Sequence, residues 1–185
     1  AYVSKKANAF SDQQALAAMR LIAPNLRKVY HNGHDHVARE AVMLGATLAG
    51  MAFSNASVAL VHGMSRPIGA FFHVPHGLSN AMLLPTITEY SIPAAVERYA
   101  DCARHMGVAK PSHTDDDANR LLLDELRALN IELAVPTLLE FGVSRDRFLE
   151  LVPLMASQAE QSGSPANNPR VPTQRDMIEL YRSMI

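Results

Sequence analysis

The sequence of 185 residues has no tryptophan and a single cysteine, and its charges nearly cancel to a formal net charge of -1. The lone Cys102 excludes an intramolecular disulfide, which fits a reducing, cytoplasmic compartment. The near-neutral charge offers no attraction to nucleic acid or to an anionic membrane, so small molecules and protein surfaces are the expected partners. A chain of this length can bury its own core, and we expect one domain over residues 1–185.

Closely spaced glycines are also missing. None of the nine glycines forms a Gly-x-Gly pair. Dinucleotide-binding turns and phosphate-cradling loops both need such pairs, because the backbone must approach the phosphate closely at a helix N-terminus. These 185 residues therefore hold no nucleotide-binding fingerprint, and any nicotinamide cofactor would be held by another domain.

Charge is scarce in the middle of the chain, where Arg66 is the only Asp, Glu, Lys or Arg between Ala41 and Thr88. Ala41 to Ser65 is 25 residues without one of these, long enough to cross a bilayer as a single helix. Serine, asparagine and histidine in its second half, together with the lack of tryptophan or clustered flanking basic residues, argue against that interpretation. A small-residue helix buried among other helices explains the same composition.

Helix signals dominate the rest of the chain. Ser11 with Gln14 predicts a capping box, and Pro24 predicts a bend or a second segment in the helix that follows. Asn32 and Asp35 are predicted to cap a long helix running toward Phe53.

Two more helix starts are predicted near the C-terminus. Thr114 precedes three aspartates, Asp115 to Asp117, which suit a helix N-terminus and need no cation, and Thr173 with Asp176 repeats the start signal. Evidence for strands is slight, and the only long irregular stretch predicted is Ser157 to Pro172. The fold class expected is all-α, a single compact helical bundle.

Histidines at the ends of apolar helical segments are the candidate chemistry. His62 and His76 each lie where such a segment meets a connector rich in Pro and Gly, so two neighbouring helices could aim both rings at one point. Imidazoles in apolar surroundings need a metal or a hydrogen-bond partner, and spacing alone leaves both open. His73 is separated from His76 by Pro75 and is expected to line the cleft or to be exposed.

A second group of histidines lies in a turn. His31, His34 and His36 alternate with turn-forming residues, so they are expected to be exposed rather than metal ligands.

The central sequence carries a long pattern made of Gly50, Met51, Ala52, Phe53, Ser54, Asn55, Ala56, His62, Gly63, Met64, Pro67, Ile68, Gly69, Ala70, Pro75, His76, Gly77, Leu78, Ser79, Asn80, Ala81, Leu84 and Pro85. This pattern resembles the signature of the iron-containing (group III) alcohol dehydrogenases. More weakly, Ala1 to Ser4 resembles the tail of the helix that bears two further ligands, and Asn168 to Arg170 a late family motif. The resemblance implies the family's C-terminal helical domain, of dehydroquinate synthase-like fold, without the N-terminal nicotinamide-binding domain.

The resemblance also implies site residues. His62 and His76 correspond to two of four ligands of a catalytic divalent metal, Fe(II) first and zinc as the alternative. The other two, an Asp and a His, would fall upstream of Ala1, and a chain that opens inside a helix without an initiator Met is expected to be a domain of a longer protein. Phe53 matches an aromatic position facing the substrate channel, although a buried core Phe is the plainer interpretation.

Arg66 stands where many relatives carry a third histidine, and it is kept as a candidate catalytic residue. Arginine stays protonated and cannot relay protons near neutral pH. It could bind a carboxylate or phosphate of substrate or cofactor, or pair with an acidic side chain or a helix C-terminus.

The function implied is hydride transfer between a small alcohol or aldehyde and NAD or NADP, in a homo-oligomer. The alternative, for these 185 residues alone, is a non-catalytic helical module with an incomplete metal site.

Overall fold

The computed structural model describes residues 1–185 and contains no strand, which confirms the all-α prediction. The helices are α1 (Ala9–His31), α2 (His36–Ala56), α3 (Leu60–Phe72), α4 (His76–Ser91), α5 (Val96–His105), α6 (Asp115–Glu132), α7 (Arg145–Gln161) and α8 (Gln174–Arg182), with short 3-10 turns at Ile92–Ala94 and Pro165–Asn167.

The helix starts follow local capping chemistry, with one correction. Asp35, Thr114 and Thr173 each accept a backbone N–H from the first turn of their helix, as predicted. The capping box of α1, however, pairs Asn8 with Ser11, so the prediction of Ser11 with Gln14 was wrong. Asn8 is the N-cap, because its backbone is extended and its side chain accepts the Ser11 N–H. The helix therefore begins at Ala9, and Ser11 is its third residue.

Three further predictions concerned helix boundaries. Pro24 lies inside the single helix α1, so the prediction of a second segment was wrong, and a bend at this proline stays a prediction. Residues Ala1 to Ser4 form turns, and the Ser4 hydroxyl donates to the Ala56 carbonyl at 2.6 Å; their resemblance to the end of an upstream helix stays a prediction. The irregular stretch was predicted to begin at Ser157, which was wrong, because α7 ends only at Gln161.

The long uncharged stretch is divided between α2 and α3. The chain turns through 104° between these helices, and Ser57 adopts a positive φ of 60° at the break. No single helix is long and apolar enough to cross a membrane, and only the bent pair α2 and α3 has that length and composition when taken together.

Two hydrophobic clusters form the core. The larger joins α3, α4, α7 and α8 through residues that include Met64, Leu83, Phe148 and Tyr181. The smaller joins α1, α2, α5 and α6 around Ala52, Tyr99 and Leu122 among others. The first cluster holds α3 beside α4, and their first turns carry the candidate histidines.

Candidate functional site

The rings of His62 and His76 face each other across the α3–α4 pair. Their centroids are 5.2 Å apart and their planes are inclined at 61°. His62 lies in the first turn of α3, and His76 is the first residue of α4. The helices are therefore placed as the sequence suggested, with both imidazoles aimed at one region.

The two rings differ in their surroundings. Burial, followed by the neighbouring His76, lowers the pKa of His62 from 6.5 to about 4, so its ring is neutral at physiological pH. His76 is exposed, and its Nε2 lies 3.1 Å from the Asn80 Nδ2 amide one turn further along α4. A neutral imidazole is the form that ligates a metal.

Two facing imidazoles have the chemistry to supply two ligands to a metal centre, which is fewer than a catalytic site needs. The hydrogen-bonding alternative raised by the sequence applies to His76, whose ring contacts the Asn80 amide, and not to His62, whose ring makes no hydrogen bond within the chain. No group of three or more His, Cys, Asp or Glu in the chain is arranged to hold a metal ion. His31, His34 and His36 are exposed in and after the α1–α2 turn, and His73 is exposed at the left-handed C-cap of α3.

Arg66 lies one turn after His62 on α3 and is exposed. Its Nη1 donates to Ser164 Oγ at 3.2 Å, and Arg66 takes part in none of the ion pairs in the chain. The acidic partner considered from the sequence is therefore absent from this chain. Ser164 is only 4% exposed and precedes Pro165, whose ring packs on Gly63.

Phe53 is 47% exposed near the end of α2. The interpretation as a core residue is therefore wrong, because the helix turns this side chain away from the hydrophobic clusters. Its place in a substrate channel stays a prediction.

Two residues at the site were not predicted as site residues. Asn80 contacts His76, and its Oδ1 is buried without a hydrogen-bond partner. The i, i+4 spacing of the two residues on one helix was the available signal. Ser164 contacts Arg66 from 98 residues away, and no local pattern predicts such a contact.

Two solved structures of other proteins share this helical fold. A crystal structure of 1,3-propanediol oxidoreductase superimposes over 100% of this chain and 47% of its own, with a TM-score of 0.92 and 34% identity. An alcohol dehydrogenase from Oenococcus oeni superimposes with a TM-score of 0.91 at the same identity. Both share their helical half with this chain.

The chain belongs to the Fe-containing alcohol dehydrogenase family, whose C-terminal model matches residues 1–185. A 1,3-propanediol dehydrogenase of Citrobacter freundii is 37% identical over 98% of this chain and 46% of its own length, and a lactaldehyde reductase of Escherichia coli (strain K12) is 36% identical with the same coverage. The chain thus spans about half the length of these relatives.

Proposed function

We propose that this chain is the helical, metal-binding half of a nicotinamide-dependent alcohol dehydrogenase or aldehyde reductase. The observation that carries the proposal is the facing pair His62 and His76. Their ring centroids lie 5.2 Å apart, and both residues belong to the first turns of two packed helices. In this proposal both rings are metal ligands, and the remaining ligands come from outside these 185 residues. Fe(II) is the metal favoured by the family, with zinc as the alternative, since imidazole suits both.

A divalent metal at this position supplies Lewis-acid chemistry, which lowers the pKa of an alcohol. The chain's own residues set the protonation state of His62 and the orientation of His76. His62 stays neutral because burial disfavours its protonated form. The Asn80 amide, with Nδ2 at 3.1 Å from Nε2 of His76, holds the orientation of this ring from one turn further along α4.

Hydride transfer also needs a nicotinamide held against the substrate. This chain has no glycine-rich turn that would hold a pyrophosphate. We therefore assign NAD or NADP to a nucleotide-binding domain that packs on the helical half, and we assign the substrate to the class of small alcohols and aldehydes. Phe53, exposed on α2, is proposed as a wall of the substrate channel.

The test uses the full-length protein and the variants His62→Ala and His76→Ala. Each variant is expected to lose most of its bound metal and most of its alcohol oxidation, because an open catalytic site has few ligands to lose. Metal content is measured by elemental analysis, and circular dichroism checks that the fold is kept. The control His31→Ala changes an exposed turn residue and should keep both metal and activity. Full metal occupancy in both site variants would refute the ligand assignment.

The second candidate is a non-catalytic helical module. Its support is the absence of a third metal-binding side chain near the two rings. The coding sequence upstream of Ala1 decides between the two candidates. An Asp and a His one helical turn apart would favour the enzyme, and their absence would favour the module.

A further inference from the structure

The cation beside the histidine pair has no anionic partner. Arg66 is the only Asp, Glu, Lys or Arg between Ala41 and Thr88, and it makes no ion pair. Its one side-chain hydrogen bond goes to the Ser164 hydroxyl, which leaves the other N–H donors of the guanidinium free. The forked N–H donors of an arginine suit a carboxylate or phosphate, and Arg66 lies one turn from His62 in the candidate site with donors left over for one.

The position of Arg66 is set by α3 and by the loop that carries Ser164. Arg66 follows His62 by four residues on α3, so the two side chains share one face and are separated by about 6 Å along the helix axis. Ser164 is buried, and its neighbour Pro165 lies against Gly63 on the same helix. The Ser164 hydroxyl thus holds one Nη of the guanidinium, and the side chain as a whole stays exposed one turn after His62.

We propose that Arg66 is a specificity-determining residue that binds a carboxylate on the substrate, so that the preferred substrates are hydroxy acids and the corresponding aldehyde acids. The proposal rests on the function proposed above and narrows its substrate class. A carboxylate carries one negative charge and matches both the single positive charge and the forked geometry of arginine. A phosphate monoester carries close to two negative charges, and this stretch of the chain has no second lysine or arginine to balance the additional charge.

The experiment compares two substrates of equal chain length, 3-hydroxypropionate and 1,3-propanediol, on the metal-loaded full-length protein. The readout is the ratio of their kcat/KM values. The wild type is expected to favour the hydroxy acid, and Arg66→Gln should lower the ratio by about tenfold or more, the usual size of a lost hydrogen bond to a charged group. Arg66→Lys keeps the charge without the fork and should restore part of the preference. The control Arg20→Gln removes an exposed cation of α1 that makes no ion pair, and the ratio should stay at the wild-type value.

Other outcomes separate this inference from the proposed function. Oxidation of the diol with no preference for the acid overturns the inference and leaves the dehydrogenase intact. A raised KM for NADH or NADPH in Arg66→Gln with an unchanged ratio assigns the anion to the cofactor and also overturns it. Failure to oxidise either substrate counts against the proposed function. In that case calorimetric titration of the wild type and Arg66→Gln with 3-hydroxypropionate tests the carboxylate site directly. Binding by the wild type that is lost in Arg66→Gln supports the site. Equal binding by both proteins, or binding by neither, overturns it.

Discussion

Gly63 shows how one residue without a side chain shapes the site. A Cβ at this position would lie 2.8 Å from Cδ of Pro165 and 2.9 Å from its Cγ. A proline ring has little freedom to move away, so the loop before Pro165 can lie on α3 only while residue 63 is glycine. The same loop carries Ser164, the partner of Arg66.

Gly63→Ala should therefore destabilise the protein by about 1–3 kcal/mol, the usual cost of overpacking a filled core. Gly50→Ala is the matched control, since nothing lies within 4 Å of a Cβ there and the residue is inside α2. That change should leave stability unchanged or raise it by up to about 1 kcal/mol, because alanine favours a helix. Urea unfolding of both variants measures the difference. Equal stabilities would contradict the packing account.

The Cys102 thiol is expected to be unreactive because it is buried. It is 7% exposed, and burial raises the pKa of its thiol from 9.0 to about 12. At pH 8 the native thiol should react with a disulfide reagent far more slowly than the urea-unfolded chain, because the thiolate is the reactive form. Rapid labelling of the native protein would contradict the burial.

The same shift has a consequence for alkaline stability. The unfolded thiol ionises above pH 9 and the folded thiol does not, so the Cys102 contribution to stability is complete below pH 9 and is lost as the pH rises toward 12. Replacement by Ala or Ser should make the free energy of unfolding less steeply dependent on pH in that window. A pH series of urea-unfolding curves tests this, and an unchanged slope would count against it.

At the scale of elements, α8 is tied to the histidine-bearing helix by a buried hydrogen bond. The Tyr181 hydroxyl donates to the Met64 carbonyl at 2.7 Å, within the larger hydrophobic cluster. Pro67 inside α3 has no N–H, so the hydrogen bonding of this helix is already incomplete nearby. The contact helps to hold α3 where His62 can face His76.

Tyr181→Phe should cost about 1 kcal/mol, because it removes one buried hydrogen bond while the Met64 carbonyl keeps its place in the helix. Tyr30→Phe is the control, since Tyr30 is 52% exposed, and it should change stability little. Thermal unfolding compares them. A loss equal to that of the control would show that the bond contributes nothing net.

How far these elements could be predicted depends on whether their signals are local. Thr114 and Thr173 were identified as helix starts because a cap and its acidic partner lie within one turn. Asn8 was overlooked because Ser11 has the same capping chemistry, and only the folded chain decides between them. His62 and His76 stood out as isolated polar residues in an apolar stretch. Ser164 could not be predicted, since its contact with Arg66 depends on how α7 and the loop after it return to α3.

At the scale of the whole molecule, α2 exposes several large apolar side chains. It packs on α1 through small residues such as Gly45, while Val37, Met43, Leu44, Met51 and Phe53 are exposed around the rest of the helix. All but Val37 belong to the uncharged stretch that begins at Ala41. Exposed apolar surface of this kind favours association, which is consistent with the proposed packing of a nucleotide-binding domain and with a homo-oligomer.

The isolated 185-residue chain should neither bind a divalent metal tightly nor oxidise alcohols. His62 and His76 supply only two ligands, and no third metal-binding side chain joins them. Two imidazoles leave most of the coordination sphere to water, and fewer ligands give weaker binding. The chain also lacks a glycine-rich turn for the cofactor. Titration calorimetry with Fe(II) or Zn(II) and with NADH, beside the full-length protein, measures both deficits. Submicromolar binding of either by the isolated chain would show that these residues form a more complete site than two histidines can provide.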